Sequence, residues 1–324
     1  MNLTSPRPLF DSDLFGWAQQ VQTPLEIIRE THLIQEGTPG EHLLILVAGS
    51  GRVETRNAER QTVVLAELKP GQIVGEMSLL EDRPTVASVI AHPGSRWLVI
   101  PFTELNDATS ISPPLAASLY EQLSFKLMRQ LQDQTLLVHR WPHSSVEPLR
   151  KVLVVFASLN DLDVQWLAAN GERRSFAPGE QLITEGDLVD KLHILLDGDA
   201  EVFNSQENAE DLIGSSRPGE ILGEMNLLTE NHHAAASIRA RTTMLTLCLP
   251  ISSLQQRLRM DVSFKSRWFK ALATLLSHRN RDQLNVHGMA GGANQHEELS
   301  LSSLDQLSQA GRRFDWLCHQ VAVL

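Results

Sequence analysis

One segment of this chain occurs twice, and that repeat limits the possible folds more than any other feature. Residues 70–80 read PGQIVGEMSLL, and residues 218–228 read PGEILGEMNLL, 148 positions further along. Two earlier pairs, LIQEG with LITEG and LLILVAG with LHILLDG, repeat at an offset of 149 positions. Chance similarity between apolar segments would not keep glycine and proline in register over the length of a domain. We therefore predict a tandem duplication of one domain.

Each copy has the pattern of a small β-domain between helices. In the first copy, short runs of Val, Ile, Leu and Thr alternate with Gly, Pro, Asn and Asp, which is typical of a sandwich or barrel. The predicted strands of this copy are 25–34, 42–48, 51–56, 62–68, 72–75, 85–91 and 96–101. The predicted helices are 11–23 and 112–138 in the first copy, and 159–170 and 251–284 in the second.

Composition excludes several classes of function. The 324 residues carry a net charge of -11, so the chain has room for two domains and no general attraction to a polyanion. Cys248 and Cys318 are too few for a disulfide framework or a zinc site. No run is apolar and long enough for a bilayer, and no secretory signal is visible, so we expect a cytoplasmic protein without membrane contact. We find no catalytic motif and no metal motif, and we expect no enzyme activity.

The repeated Gly-Glu-Met follows a Pro-Gly turn and a strand that ends in Gly, and in this context it resembles the cyclic nucleotide-binding domain family. The resemblance covers roughly residues 10–138 and 155–280. It implies a mainly β fold with flanking α-helices: two tandem jelly rolls (double-stranded β-helices), each followed by helices. It also implies that each Gly-Glu begins a phosphate-binding cassette, in which the free N–H groups of a short helix face an anion.

The resemblance assigns roles within the cassettes. Glu76 and Glu224 would accept a hydrogen bond from the ribose of a bound cAMP or cGMP. The resemblance implies such a ligand and no cofactor. A structural role stays open for both, because a glutamate at a helix N-terminus also suits the helix dipole. The candidate ligand-binding residues are Gly75, Glu76, Met77, Ser78, Arg83, Thr85, Val86, Gly223, Glu224, Met225, Asn226, His233 and Ala234.

Both cassettes depart from the family pattern at one position. An arginine some nine or ten residues after the glutamate normally pairs with the cyclic phosphate in this family. Alignment on Pro84 puts Thr85 there in the first copy, and Arg83 lies beyond a proline whose fixed φ limits its reach. In the second copy, His233 or Ala234 takes the position. Loss of such a cation costs about 2–5 kcal/mol, and because Thr85 keeps a hydroxyl donor, the first cassette is the better candidate.

The sequence also predicts a domain order. We expect a first domain with its helix at 1–138, a linker at 139–154, a second domain with its helices at 155–287 and a tail at 288–324. The tail has a Gly-rich break and then one amphipathic helix. Its apolar heptad stripe, which Gly311 interrupts, comprises Leu304, Leu307, Phe314, Cys318 and Val321. This stripe either drives assembly or folds back onto its own domain. A helix-turn-helix does not fit in 295–324, so we expect no direct DNA binding.

Two functional hypotheses remain. The first is a non-enzymatic regulatory protein that binds a small ligand and signals through its helices to a partner protein or to a second copy in a homodimer. The second is a scaffold whose cyclic nucleotide-binding folds have lost their ligand and serve as packing modules. The missing arginines favour the second hypothesis, and the Gly-Glu-Met in both copies favours the first.

Overall fold

The computed structural model describes residues 8–57, 59–137, 154–206, 209–228, 233–286 and 301–323. These residues fall into two compact units. The first unit contains the chain up to Leu127 together with residues from Leu276 to Val286, and the second contains the other described residues. The domain boundaries expected from the sequence stay a prediction. They fall within or next to residues 138–153 and 287–300, which lie outside the described part.

The first roll consists of eight strands between helices. A Ser12 side chain that accepts from the amide of Phe15 starts its first helix. In chain order its elements are α1 (Asp13–Val21), β1 (Leu25–Glu26), β2 (Thr31–Ile34), β3 (His42–Ala48), β4 (Gly51–Arg56), β5 (Thr62–Leu68), β6 (Ile73–Val74), α2 (Glu76–Glu81), β7 (Ser88–Ala91), β8 (Arg96–Pro101), α3 (Phe102–Ile111) and α4 (Pro113–Leu137).

These strands form two four-stranded antiparallel sheets, in the orders β1-β8-β3-β6 and β2-β7-β4-β5. The core between them includes Leu44, Leu46, Leu68, Val89 and the fully buried Trp97. Each sheet joins strands from both ends of the sequence of this roll, as a jelly roll requires. The predicted strand 25–34 is two short strands, and the predicted strand 85–91 begins only at Ser88.

The second roll repeats this topology. Its elements are α5 (Asp161–Asn170), β9 (Glu172–Phe176), β10 (Gln181–Ile183), β11 (Lys191–Asp197), β12 (Ala200–Gln206), β13 (Ala209–Ser216), β14 (Ile221–Leu222), a 3-10 helix (Glu224–Leu228), β15 (Ser237–Ala240), β16 (Met244–Pro250), α6 (Ile251–Met260) and α7 (Val262–Val286). The sheet orders are β9-β16-β11-β14 and β10-β15-β12-β13. The register shift after Val53 recurs after Val202, at the offset of the sequence repeat. The duplication is therefore confirmed in the backbone.

The long helix after the first roll agrees with the prediction and that of the second roll does not. The helix predicted from residue 112 is α4, which begins at Pro113, directly after Ser112. The helix predicted over 251–284 is two helices, with a break at Asp261 before α7. The Asp261 carboxylate accepts from the amide of Phe264 at 2.8 Å and so starts a new helix. Helix α3, which ends at Ile111, was not predicted, and the break at Asp261 does not interrupt the apolar pattern strongly enough to be read from the sequence. Among the described residues, no helix is both long and apolar enough to cross a bilayer.

The tail forms one helix, α8 (Leu301–Val323), which folds back onto the second unit. The helix continues through Gly311, which interrupts only the apolar stripe. Leu317 and Val321 are fully buried, and Phe314 packs against Phe156 with ring centroids 5.2 Å apart. Arg313 donates to the Asp161 carboxylate at 2.7 Å. Of the two alternatives for the apolar stripe, the structure shows the intramolecular one for Phe314 and Val321, while the side chain of Leu304 lies outside the described part.

We predict that Leu317→Ala lowers the free energy of unfolding by about 2–4 kcal/mol, because it leaves a cavity beneath α8. Chemical denaturation followed by circular dichroism measures this change. His319→Ala, at an exposed position of the same helix, is the matched control and should change stability by less than about 0.5 kcal/mol. Equal effects of the two variants would contradict the packing of α8 described here.

A second prediction concerns His193, which is buried in the second roll with Nδ1 3.2 Å from the Thr246 hydroxyl. Burial, assisted by Arg174 and Lys191, lowers the His193 pKa from 6.5 to about 4. The unfolded chain then binds the proton more readily, so this contribution to stability is present above pH 6.5 and is lost as the pH falls towards 4. We expect a loss of roughly 2 kcal/mol between pH 7 and pH 5. Denaturation midpoints measured across this range should fall less steeply for His193→Gln.

Candidate ligand-binding site

The first cassette is a short helix that is entered through a left-handed turn. Strand β6 ends at Val74, Gly75 adopts φ 92°, and α2 begins at Glu76. The helix ends at Asp82, which has φ 53°, and its amide donates to the Ser78 carbonyl at 2.9 Å. This is the strand, glycine and helix N-terminus that the sequence predicted for an anion-binding segment.

Gly75 is fixed by sterics as well as by its φ. A Cβ at this position would lie 2.5 Å from the carbonyl oxygen of His42, so a side chain would displace β3 or the cassette. The equivalent Gly223 also has positive φ, but a Cβ there would lie 3.3 Å from its nearest neighbours, which include the carbonyl oxygen of Lys191 and the flexible end of Ile183. The first cassette thus approaches its neighbouring strand more closely than the second does.

The Glu76 carboxylate is buried, with 3% of the residue exposed. It forms an ion pair with Nζ of Lys126, which lies on α4. A buried carboxylate needs such a partner, since burial without one would cost several kcal/mol. The candidate ribose acceptor is therefore linked directly to the long helix after the first roll. Sequence reasoning missed Lys126, because no local pattern indicates which residue of α4 faces the cassette.

Thr85, at the position where the family has arginine, has its hydroxyl committed within the protein. Oγ1 donates to the carbonyl of Gln35 at 2.6 Å and lies 3.2 Å from that of Thr38. The Thr85 amide also donates to Thr38, and its carbonyl accepts from Gly37, each at 2.9 Å. The hydroxyl therefore stabilises the loop after β2, and the expected substitution for arginine is at most partial.

The remaining candidates of the first cassette lie around α2. Met77 and Ser78 are buried, and Val86 accepts from the Thr55 hydroxyl through its carbonyl oxygen at 3.3 Å. Arg83 Nη1 lies 3.6 Å from the Glu81 carboxylate. Arg83 thus contacts the far end of α2, opposite to the end at which a phosphate would bind.

Glu81 is the second buried carboxylate of the cassette, and its side chain is fully buried. It accepts from the Ser277 hydroxyl at 2.5 Å and from Nε of Arg281 at 2.6 Å. Ser277 and Arg281 belong to the last turns of α7 but to the same compact unit as the first roll. The sequence gave no signal for these residues, since they lie about 200 positions away from Glu81.

The second cassette has a different local structure. Residues Glu224–Leu228 form a 3-10 helix, and the Asn226 amide donates to the Gly223 carbonyl at 3.2 Å. Glu224 is buried and Met225 is half-buried. A five-residue 3-10 helix has poorer hydrogen-bond geometry than an α-helix, so its N-terminal amides are less well aligned towards an anion.

Backbone hydrogen bonds decide which residue replaces arginine in the second cassette. The Ala234 carbonyl accepts from Gly186 and its amide donates to Asp187, as Thr85 does with Gly37 and Thr38. Ala234 is therefore the backbone equivalent of Thr85, one of the two alternatives left open by the sequence. His233 is exposed, and its Nδ1 donates to the Gly186 carbonyl at 2.7 Å. Neither side chain supplies a fixed positive charge.

The cations described at the first cassette pair with its own carboxylates. Lys126 contacts Glu76, and both Arg83 and Arg281 contact Glu81. The residues present therefore fit the ribose of a nucleotide through Glu76, while no side chain at the arginine position neutralises a phosphate. Only the N-terminus of α2 offers partial positive charge there.

Comparison with protein families identifies this arrangement. The family model for the cyclic nucleotide-binding domain matches residues 25–110 and 173–261, which is more than half of the chain. This chain belongs to the cyclic nucleotide-binding domain family. The two matches coincide with the two rolls, so the predicted fold class and the resemblance are both confirmed.

Curated relatives share only part of their length with this chain. The cAMP-dependent protein kinase regulatory subunit of Emericella nidulans is 24% identical over 222 residues, which are 66% of this chain and 47% of that protein. The type II regulatory subunit of Drosophila melanogaster is 24% identical over 63% of this chain and 46% of its own length. The Cyclic AMP receptor protein of Thermus thermophilus is 30% identical over 28% of this chain and 43% of its own length. This chain thus spans less than half of each of these relatives.

Two solved structures are similar to this chain, each at low identity and with a low TM-score. The cAMP-bound regulatory domain of Toxoplasma gondii PKA is 20% identical, covers 79% of this chain and 91% of its own, and has a TM-score of 0.31. A cyclic nucleotide-binding domain from Methylobacillus flagellatus is 21% identical, covers 47% of this chain and 86% of its own, and has a TM-score of 0.38.

We predict that Gly75→Ala destabilises the protein by about 2–4 kcal/mol, since positive φ and the close His42 carbonyl both oppose a Cβ. The matched variant Gly223→Ala meets the φ penalty and only the longer 3.3 Å contacts, and it should cost about 1–2 kcal/mol. Urea denaturation of both variants measures the difference. If Gly75→Ala lowers the free energy of unfolding no more than Gly223→Ala does, the first cassette can shift to accommodate the Cβ, and the close contact described here does not constrain it.

Proposed function

We propose that this protein is a non-enzymatic regulatory protein whose first cyclic nucleotide-binding domain binds a small nucleotide and reports its presence through helix α4. The observation that carries this proposal is the ion pair between Glu76 and Lys126. A ribose hydroxyl that donates to Glu76 would compete with Lys126 for the same carboxylate. Ligand binding would then change a contact of α4, and a helix biased by ligand in this way is a two-state element.

Several relatives support a cyclic nucleotide as the ligand class. Those from Emericella and Drosophila are named regulatory subunits of a cAMP-dependent protein kinase, and that of Thermus a Cyclic AMP receptor protein. By analogy with these relatives, we propose that this chain binds a ligand of the cAMP or cGMP class and that a protein partner receives the signal. Cytoplasmic location, the absence of direct DNA binding and a homodimer are further parts of this proposal.

The first domain is the better binding site of the two. Its cassette is an α-helix with a buried glutamate at the first turn, while the second is a 3-10 helix followed by Ala234. The proposed ligand residues of the first site are Gly75, Glu76, Met77, Ser78, Thr85 and Val86. We expect cyclic nucleotide to bind there with reduced affinity, because loss of the phosphate's cation costs about 2–5 kcal/mol.

A scaffold function is the second candidate, and one observation favours it. The two polar side chains next to the missing arginines, Thr85 and His233, both bond to loop carbonyls of their own roll. These bonds stabilise the rolls without a ligand. In this case the rolls would serve as rigid modules that present their helices to partners.

Calorimetric titration of the whole protein with cAMP, cGMP and adenosine separates the two functions. We expect weak binding of a cyclic nucleotide that falls at least about tenfold in Glu76→Ala and is unchanged in Glu224→Ala. Thr85→Arg restores a cation and should raise cyclic nucleotide affinity by about 30-fold or more without a matching gain for adenosine.

Adenosine is the internal control for charge, because it keeps the ribose hydroxyls and lacks the phosphate. If adenosine gains as much as cAMP from Thr85→Arg, the arginine acts through packing and the assignment of position 85 is wrong. If neither the wild type nor Thr85→Arg binds any of the three compounds at millimolar concentration, the scaffold function replaces the regulatory one.

A further inference from the structure

We propose that the last turns of α7, from Leu276 to Val286, are a working part of the first ligand site, with Ser277 and Arg281 as positioning residues of the cassette helix α2. This inference deepens the proposed function, and its ligand-binding consequence rests on that function. The site would therefore be built from two parts of the chain, one of them beyond the second roll.

Helix α2 is too short to be stable without contacts to other elements. It has six residues, Glu76–Glu81, and both flanking residues have positive φ. Helices of this length gain too few internal hydrogen bonds to be stable alone. Its position must therefore come from contacts with neighbouring elements, and those contacts decide where its N-terminal amides point.

The two ends of α2 are held by different helices. Lys126 of α4 pairs with Glu76 in the first turn, and Ser277 and Arg281 of α7 bind Glu81 in the last turn. Arg281 also donates to the carbonyl of Pro84 at 3.3 Å, next to the position where the family has arginine. The guanidinium thus fixes the end of α2 and the segment that follows it.

The two holding helices are themselves joined beside the cassette. Asn280, which is fully buried, donates through Nδ2 to the carbonyl of Leu127 on α4 at 3.0 Å. Leu127 follows Lys126 directly. Each of the three helices α2, α4 and α7 therefore has a polar contact with the other two. A change at Glu81 then reaches the same turn of α4 that binds Glu76.

A purely structural ion pair would stabilise the fold without any particular effect on the cassette. The chain provides a matched example, since Arg267 lies on the same helix α7 and binds the buried carboxylate of Asp163 at 2.5 Å and 2.8 Å. Asp163 belongs to the second unit and not to a cassette. Comparison of the two arginines separates positioning of the cassette from general stability.

Hydrogen exchange of the whole protein, followed by mass spectrometry on peptides from residues 75–84, tests the proposal without any ligand. Arg281→Gln should speed exchange of these peptides by about tenfold or more, because the buried Glu81 carboxylate loses the cation bonded to it at 2.6 Å and keeps the longer contact to Arg83 at 3.6 Å. Arg267→Gln should leave the same peptides unchanged while it lowers the unfolding midpoint. Equal exchange at 75–84 in the wild type and in Arg281→Gln would overturn the proposal.

Two further variants keep the test decisive if Arg281→Gln folds poorly. Ser277→Ala removes one donor to Glu81 and keeps every charge, so it should speed exchange at 75–84 by a smaller factor. Arg281→Lys keeps the charge, loses the forked geometry, and should restore part of the protection. If neither variant changes exchange at 75–84, the contacts of α7 do not position α2 and the proposal fails.

Titration with cAMP then gives the functional consequence. In a protein that binds cAMP through the first roll, Arg281→Gln should weaken binding by about tenfold, because the cassette is no longer preorganised, and Arg267→Gln should not. A wild type that does not bind cAMP would count against the proposed function, while the exchange experiment would still decide the role of α7. Unchanged affinity in Arg281→Gln would overturn the role of α7 in binding.

Discussion

Two buried carboxylates determine where the first cassette lies. Glu76 and Glu81 stand at the first and last turns of a helix that is too short to be stable alone. Each is out of water, and a buried carboxylate without a partner costs far more than the helix gains from its own hydrogen bonds. The position of α2 therefore depends on Lys126 and Arg281. The positions of the amides and of the ribose acceptor in the candidate site depend in turn on α2.

The second roll shows that the same backbone frame holds a different cassette. In both rolls the segment after the cassette pairs with the loop after the second strand through the same two backbone bonds. The second roll has one residue more between Gly223 and Ala234 than the first has between Gly75 and Thr85. This extra residue is accommodated between two fixed points, in a segment that begins as a 3-10 helix. The frame and the ligand chemistry are thus separable features of this fold.

Local patterns predicted most of the architecture. Short β-branched runs between glycine turns gave strands β3, β4, β5 and β8 with their bounds, because strand length and turn chemistry are local properties. The break at Asp261 was missed, because an apolar periodicity continues across a single capping residue. The placement of Thr85 at the arginine position of the family stays a prediction, and the equivalence of Ala234 rather than His233 to Thr85 required the backbone hydrogen bonds of Ala234.

The sequence alone determined the duplication, because the repeat keeps its glycines and prolines in register. The jelly-roll fold and the cassette glutamates followed from the resemblance of the repeated segments to a known family, since the Pro-Gly turn and the Gly-Glu-Met lie within a few residues of each other. The tertiary structure alone decided what those glutamates contact. Lys126, Ser277 and Arg281 reach the cassette from helices whose packing depends on the whole unit. A salt bridge between distant residues leaves no local pattern, because only the packed helices bring its two charges within hydrogen-bond distance.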